Sequence, residues 1–134
     1  METKESATNQ ARAQYESIVE DLQALDKAEK KGKARYDGRM LDHDTILECI
    51  IGQPLSIMVR SEWHFPGYKM EAAEYEILLA TGGPACRIIG ELDEYKQPYN
   101  AEIQGQDWGT PWITYHEADS EVLIRYASLF WYGE

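Results

Sequence analysis

Cysteine and phenylalanine each occur only twice in these 134 residues, and histidine three times. The two thiols, Cys49 and Cys86, stand far apart with no CxxC, which argues against a disulfide scaffold or a thiolate metal site. They read as reduced thiols of a protein in the bacterial cytoplasm. No apolar run approaches the ~20 residues of a membrane span. The polar opening METKESATNQ lacks the features of a secretion signal. Bases are scarce too: 13 Lys and Arg face 24 Asp and Glu, a net charge of −11. A general nucleic-acid binder needs a basic surface, so direct nucleic-acid binding is not expected. A basic partner is.

Catalytic templates are also missing. TGGPA (81–85) lacks the Lys and Ser/Thr of a phosphate-binding loop. There is no GxSxG elbow. His43, His64 and His116 show no HxH, HxxE or HExxH spacing, and LDHD (41–44) suits a turn with a helix cap better than a metal. No metal and no cofactor are expected.

What is present is regular. Ala11, Tyr15, Ile18, Leu22 and Leu25 alternate steps of four and three, one narrow stripe on a helix. Thr8 or Asn9 is its expected cap, residues 1 to about 8 a frayed tail, and Gly32 its stop. The stripe Tyr15, Ile18, Leu22, Leu25 can pack on the core or form the seam of a homodimer. YDGRMLDHD (36–44) reads as a turn. A second helix through Ile46, Leu47, Ile50 and Ile51 is capped by Asp42 or Asp44 and ended by Gly52 and Pro54.

From Leu55 the period drops to two. Leu55, Ile57, Val59 and Trp63 are expected on one face of the first long strand, with Ser56, Arg60 and Glu62 on the other. HFPGYKMEAAE is a loop. Tyr75, Ile77 and Leu79 face inward on a second strand stopped by Gly82, Gly83 and Pro84; Cys86, Ile88 and Leu92 on a third; Ala101 and Ile103 on a fourth. WITYH can add a fifth, and the short connections demand antiparallel hairpins. Asp119 or Ser120 caps a last helix with Leu123, Tyr126, Ala127 and Phe130 buried. The expected fold is therefore α+β: an antiparallel four- to five-stranded meander packed with two N-terminal helices and one C-terminal helix. It forms one domain over 1–134, with residues 1–35 a helix free to protrude or to lie on the core, and 36–134 the α+β core.

Charge is uneven along the chain. Residues 90–134 hold nine acids (Glu91, Asp93, Glu94, Glu102, Asp107, Glu117, Asp119, Glu121, Glu134) against Lys96 and Arg125, a net −7. Six of the thirteen bases fall in residues 27–39. Such asymmetry steers charged partners. QDWGTPW (106–112) stands out beside the acids: Gly109 and Pro111 stiffen a corner, and Trp108 and Trp112 flank it as a structural turn or an aromatic binding loop.

PLSIMVRSEWHFPG, EYEILLATGGPACRIIGELDE, QDWGTPW and LIRYASLFWYGE together resemble a family of small acidic, mostly uncharacterised proteins of bacteriophages, prophages and plasmids. The resemblance covers roughly residues 54–134 and leaves out the first helix. It implies a counter-defence role: a non-enzymatic protein, anti-CRISPR-like, that occupies a host defence or nucleic-acid-handling complex and imitates nucleic-acid charge. The expected contact residues are Glu91, Asp93, Glu94, Glu102, Asp107, Trp108, Trp112, Glu117, Asp119 and Glu121. Two alternatives stand beside it. One is a small hydrolase using Glu62, His64, Asp107 or His116; the other is a structural or oligomerisation module built on the Tyr15–Leu25 stripe.

Overall fold

The computed structural model describes residues 2–82 and 84–133; Met1 of the expected tail, Gly83 of the expected turn and Glu134 of the acidic third lie outside them. Ten elements follow in order: α1 (Glu2–Lys31), β1 (Ala34–Tyr36), β2 (Arg39–Leu41), α2 (His43–Ile51), β3 (Ser56–Ser61), β4 (Ala72–Ala80), β5 (Ala85–Glu91), β6 (Glu102–Gln106), β7 (Ile113–Thr114) and α3 (Ser120–Ala127). β3 to β7 form one antiparallel meander in chain order, and β1 and β2 form a separate hairpin. The α+β reading holds, with the helices over one sheet face.

The expected frayed tail is instead the first turns of α1. Residues 2–8 are helical, so Thr8 and Asn9 lie inside the helix and cap nothing. The cause sits on β6. A β-carbon at Gly105 would collide with the carbonyl of Ala7, so the helix backbone rests directly on the strand at a glycine. Ala7 and Ala11 are fully buried there. Ala24 and Ala28 widen the stripe further along, and Ile18, Leu22 and Leu25 are each at most 4% exposed. Alanines permit close approach, so α1 lies on the core along its length and does not protrude.

YDGRMLDHD is not an open turn but mostly a hairpin. Asp37 and Gly38 both take positive φ, 51° and 76°, the conformation of a two-residue type I′ turn. Ala34 pairs with Leu41 across it. The Asp42 side chain accepts the Thr45 amide at 2.9 Å and caps α2, which buries Ile46 and Ile50.

The sheet core follows the alternation. Ile77, Cys86, Ile88 and Ile103 are wholly buried beneath the helices, joined by Leu123, Tyr126 and Ala127 of α3. Tyr75 lies over Gly90, where a β-carbon would strike its ring, and donates its hydroxyl to the Asn100 carbonyl at 2.7 Å. α3 is tied to α1 by the Arg125–Asp26 pair at 2.6 Å, and its cap Asp119 donates its amide to the Tyr15 hydroxyl at 3.1 Å. β3 departs from expectation. Only Ile57 of its expected inward face packs on the core, while Leu55, Val59 and Trp63 are 56%, 47% and 104% exposed. The helical layer stops short of this edge, so alternation there has nothing to bury against.

Because backbone occupies the space over Gly105, Gly105→Val is expected to lower the unfolding free energy by about 2–3 kcal/mol in urea titration. Gly52→Ala is the control: its φ is −80° and its added carbon meets only ordinary contact at 3.4 Å. Its change should stay within about 0.5 kcal/mol.

Candidate binding surface

The sheet face away from the helices is uncovered and carries a polar lattice. Strand alternation puts Met58 and Arg60 of β3, Glu74 and Glu76 of β4, Arg87, Ile89 and Glu91 of β5, and Glu102 and Gln104 of β6 on it. Arg60 grips Glu74 with two bonds, 2.7 and 3.2 Å, and holds its carboxyl below the usual range. Arg87 is the hub. It donates to Glu76 at 2.8 Å and to Gln104 at 2.9 Å, and its guanidinium stacks 4.2 Å from the centre of the Trp112 ring. Thr114 and Gln104 donate to Glu102 at 2.7 and 3.3 Å. Asn100 donates to Glu91 at 2.9 Å. Tyr99 stands next to Glu91, and that carboxylate raises the phenol's pKa.

Among the described residues, then, two of the four glutamates are neutralised by arginine, while Glu91 and Glu102 are held by neutral donors only. The face stays negative at that end. Its hollow, lined by Met58, Arg60, Glu74, Glu76, Arg87 and Ile89, measures about 290 Å³, at the floor of the range for small-molecule sites. A shallow, charged, strand-built surface suits a macromolecule.

Apolar side chains border it. Leu55 just ahead of β3, Met58 and Val59 within it, and Trp63, Phe65, Tyr68 and Met70 of the β3–β4 loop are exposed. Tyr95 and Tyr99 of the β5–β6 loop add to the same end of the sheet. Soluble surfaces seldom gather so many large apolar groups without a binding purpose.

The acids expected to bind divide into four kinds. Asp93, Asp107 and Asp119 hold backbone: Asp93 accepts the Tyr95 and Gln97 amides at 2.8 and 3.0 Å, Asp107 the Trp108 amide at 2.8 Å, and Asp119 the Glu121 amide at 2.9 Å. Glu91 and Glu102 lie on the open face. Glu117 and Glu121 belong to the opposite, helical layer, and Glu94 is exposed in the β5–β6 loop. The acidic third is thus not one patch. In QDWGTPW, Thr110 closes a turn on the Asp107 carbonyl at 3.0 Å, and Gly109 supplies a φ of 78°. Trp108 projects into solvent, 78% exposed, while Trp112 lies on the sheet face under Arg87.

Two other groupings are spread differently over the fold. Ile18, Leu22 and Leu25 are buried against their own sheet, and Tyr15 packs on Tyr115 with ring centres 6.0 Å apart, so this stripe is not free to form a seam. Glu62 and His64 follow β3 at one edge of the sheet, whereas Asp107 and His116 flank β7 at the other. Three strand spacings, ~14 Å, separate even β3 from β6; the four do not converge. No group of three potential metal ligands occurs among the described residues. None of their helices is long and apolar enough to cross a membrane.

Asp21 of α1 was not foreseen. It is 6% exposed, and its Oδ2 has no hydrogen-bond partner. It sits beside Tyr36, whose hydroxyl accepts the Gln53 amide at 2.6 Å. Burial raises its pKa to about 6, opposed in part by the neighbouring Tyr36 hydroxyl. Nothing marks it in the sequence, where it fills a polar slot between apolar helical positions. Cys86 is inert for a similar reason, its thiol pushed up to about 12 by burial.

The fold and the face define a two-layer α+β domain with an open, carboxylate-bearing sheet surface. No family model, curated protein or solved structure matches the chain.

The raised Asp21 pKa has a definite sign. The folded state holds this proton up to about pH 6, whereas the unfolded chain releases it near pH 4. Ionised Asp21 therefore destabilises the fold at neutral pH, and the penalty disappears as pH falls through 6 toward 4. Asp21→Asn is expected to stabilise by roughly 2–3 kcal/mol at pH 7.5, with the advantage over wild type shrinking toward zero near pH 4. Paired urea titrations at the two pH values check it.

Proposed function

We propose that this is a non-enzymatic binding protein of a phage or other mobile element that occupies a basic, nucleic-acid-binding channel of a host defence or nucleic-acid-handling complex. The reading keeps the counter-defence role implied by the resemblance of residues 54–134 and moves its contact surface. The observation that carries it is the uncovered face of β3–β6. There Glu91 and Glu102 stay unpaired by cations beside Glu74 and Glu76, next to exposed Trp63, Phe65, Tyr68 and Tyr99. Glu74 and Glu91 are directly opposed, one strand spacing (~4.8 Å) apart, and Glu102 lies diagonally across from Glu91, so the face offers a basic channel a cluster of negative groups in place of phosphates. The aromatics supply the anchors on which affinity depends. The net charge of −11 favours fast encounter with such a channel.

The alternative hydrolase reading would have to rest on Glu62 with His64 or on Asp107 with His116, since the two pairs lie at opposite edges of the sheet. Partner identity, and with it the cytoplasmic site of action, belongs to the proposal.

The test is capture from lysate of a phage-susceptible bacterium at about 50 mM salt, followed by release at about 500 mM, where screening is strong. A nucleic-acid-binding complex should be retained, released by salt and displaced by added DNA. Glu91→Lys with Glu102→Lys should reduce retention at least tenfold, and Glu117→Lys with Glu121→Lys, on the helical layer, should change it little. Retention that resists DNA, or that both double variants affect equally, contradicts the proposal.

A further inference from the structure

The two edges of the sheet are built differently. β7 is two residues long, a blunted edge, whereas β3 runs six residues with no proline and no lysine. Among the described residues no strand pairs with the outer side of β3. Natural sheets protect such an edge with short strands, charge or a covering element. Here the one charge, Arg60, is engaged by Glu74 on its own sheet face. Met58 on the open face is 60% exposed and Val59 on the helical side 47%. From Met58 to Arg60 the strand is exposed on both faces, with an apolar side chain on each.

We infer that β3 pairs antiparallel with β3 of a second copy, joining two five-stranded sheets into one. The register follows from the residues. A two-fold axis perpendicular to the sheet keeps each face continuous, so opposed residues must point to the same side, and the axis must pass through a residue. Centred on Met58, the pairing sets Met58 against the second copy's Met58 on the open face. It sets Ile57 against the second copy's Val59, twice, on the helical side. Arg60 then faces the second copy's Ser56, so no like charges oppose one another. Centred on Val59, Ile57 would instead face Ser61, and the apolar match on the helical side would be cut to one pair. Centred on Ile57, only Ser56, Ile57 and Met58 overlap within the strand. The Met58 register alone combines a five-residue overlap with apolar pairs on both faces. Because the helical layer stops short of Val59, there is room for the second copy's strand. This dimer leaves the Tyr15–Leu25 stripe in the core and sets the two open faces side by side.

Light scattering and sedimentation from ~1 to ~100 μM, the range in which a modest interface declares itself, should show wild type reaching twice the 15.4 kDa chain mass. Met58→Lys and Val59→Lys, both at exposed positions, should each return the single mass with an unchanged circular dichroism spectrum. In a Cys49→Ser background, Met58→Cys should give an oxidised covalent dimer, since opposed Cα atoms at 4.5–5.5 Å suit a disulfide, and Val59→Cys should not. A wild type that stays at the single mass throughout overturns the proposal. So does a dimer that survives both lysine variants, or one that Val59→Cys cross-links in preference to Met58→Cys.

Discussion

The carbonyl of Ala7 lies where a β-carbon of Gly105 would stand, and that single close approach sets the height of α1 above the sheet. Helix-on-sheet packing usually keeps the two backbones a side chain apart; here a glycine on β6 and alanines on the helix remove that spacer. Much else depends on the placement. With α1 pressed onto β5, β6 and β7, Tyr15 reaches the amide of Asp119 and Asp26 reaches Arg125. Those two contacts hold α3 alongside α1, so Leu123, Tyr126 and Ala127 can close the core.

The same placement explains why the molecule is one-sided. The helices crowd over the centre and the β7 side of the sheet and leave β3 uncovered from Val59 onward. Its far face has no helical cover at all. A sheet face left to solvent needs polar groups, and this one organises them around Arg87. Its guanidinium can satisfy a carboxylate, an amide oxygen and an aromatic ring at once because it is planar and has donors on several sides. A lysine at that position could hold only part of the lattice. Two carboxylates are neutralised by this arrangement and by Arg60, and two are left to act outward.

The meander, the helix order and most of the core were legible because they rest on periodicity. Ile77, Ile88 and Ile103 recur at steps of two, and Leu123, Tyr126 and Ala127 at helical steps. What misled was local reading without tertiary context. METKESATNQ looks frayed because its stabilising partner, Gly105, is about a hundred residues away in sequence. Asp37-Gly38 carries a hairpin signal, but the strands it joins are three residues each, too short for alternation to stand out. Val59 and Trp63 follow the inward pattern, yet burial requires an opposing layer that ends before them. The open face was half legible: Glu74 and Glu76 alternate with Tyr75 and Ile77 in EYEI, so their outward direction could be read. Their arginine partners come from other strands, and cross-strand register is not written in spacing. Asp21 shows the limit most plainly, since only the packing of β1 and α2 against α1 turns an ordinary helical aspartate into a buried one.

Acidity and exposed apolar area act on different parts of association. Carboxylates in water-facing positions add little to the depth of binding, because solvent and salt screen them, but they bias orientation and approach. Large apolar groups do the reverse: they lower the escape rate once water is expelled around them. On this chain the two kinds of group are contiguous, with Tyr99 beside Glu91 and Trp63 and Phe65 in the adjoining loop. Acids spread over the helical layer, such as Glu117 and Glu121, have no such apolar neighbourhood and contribute mainly to net charge. A surface that attracts broadly and grips narrowly follows from where the helices end. The strand they fail to cover begins the apolar rim, and the face they leave open carries the charge.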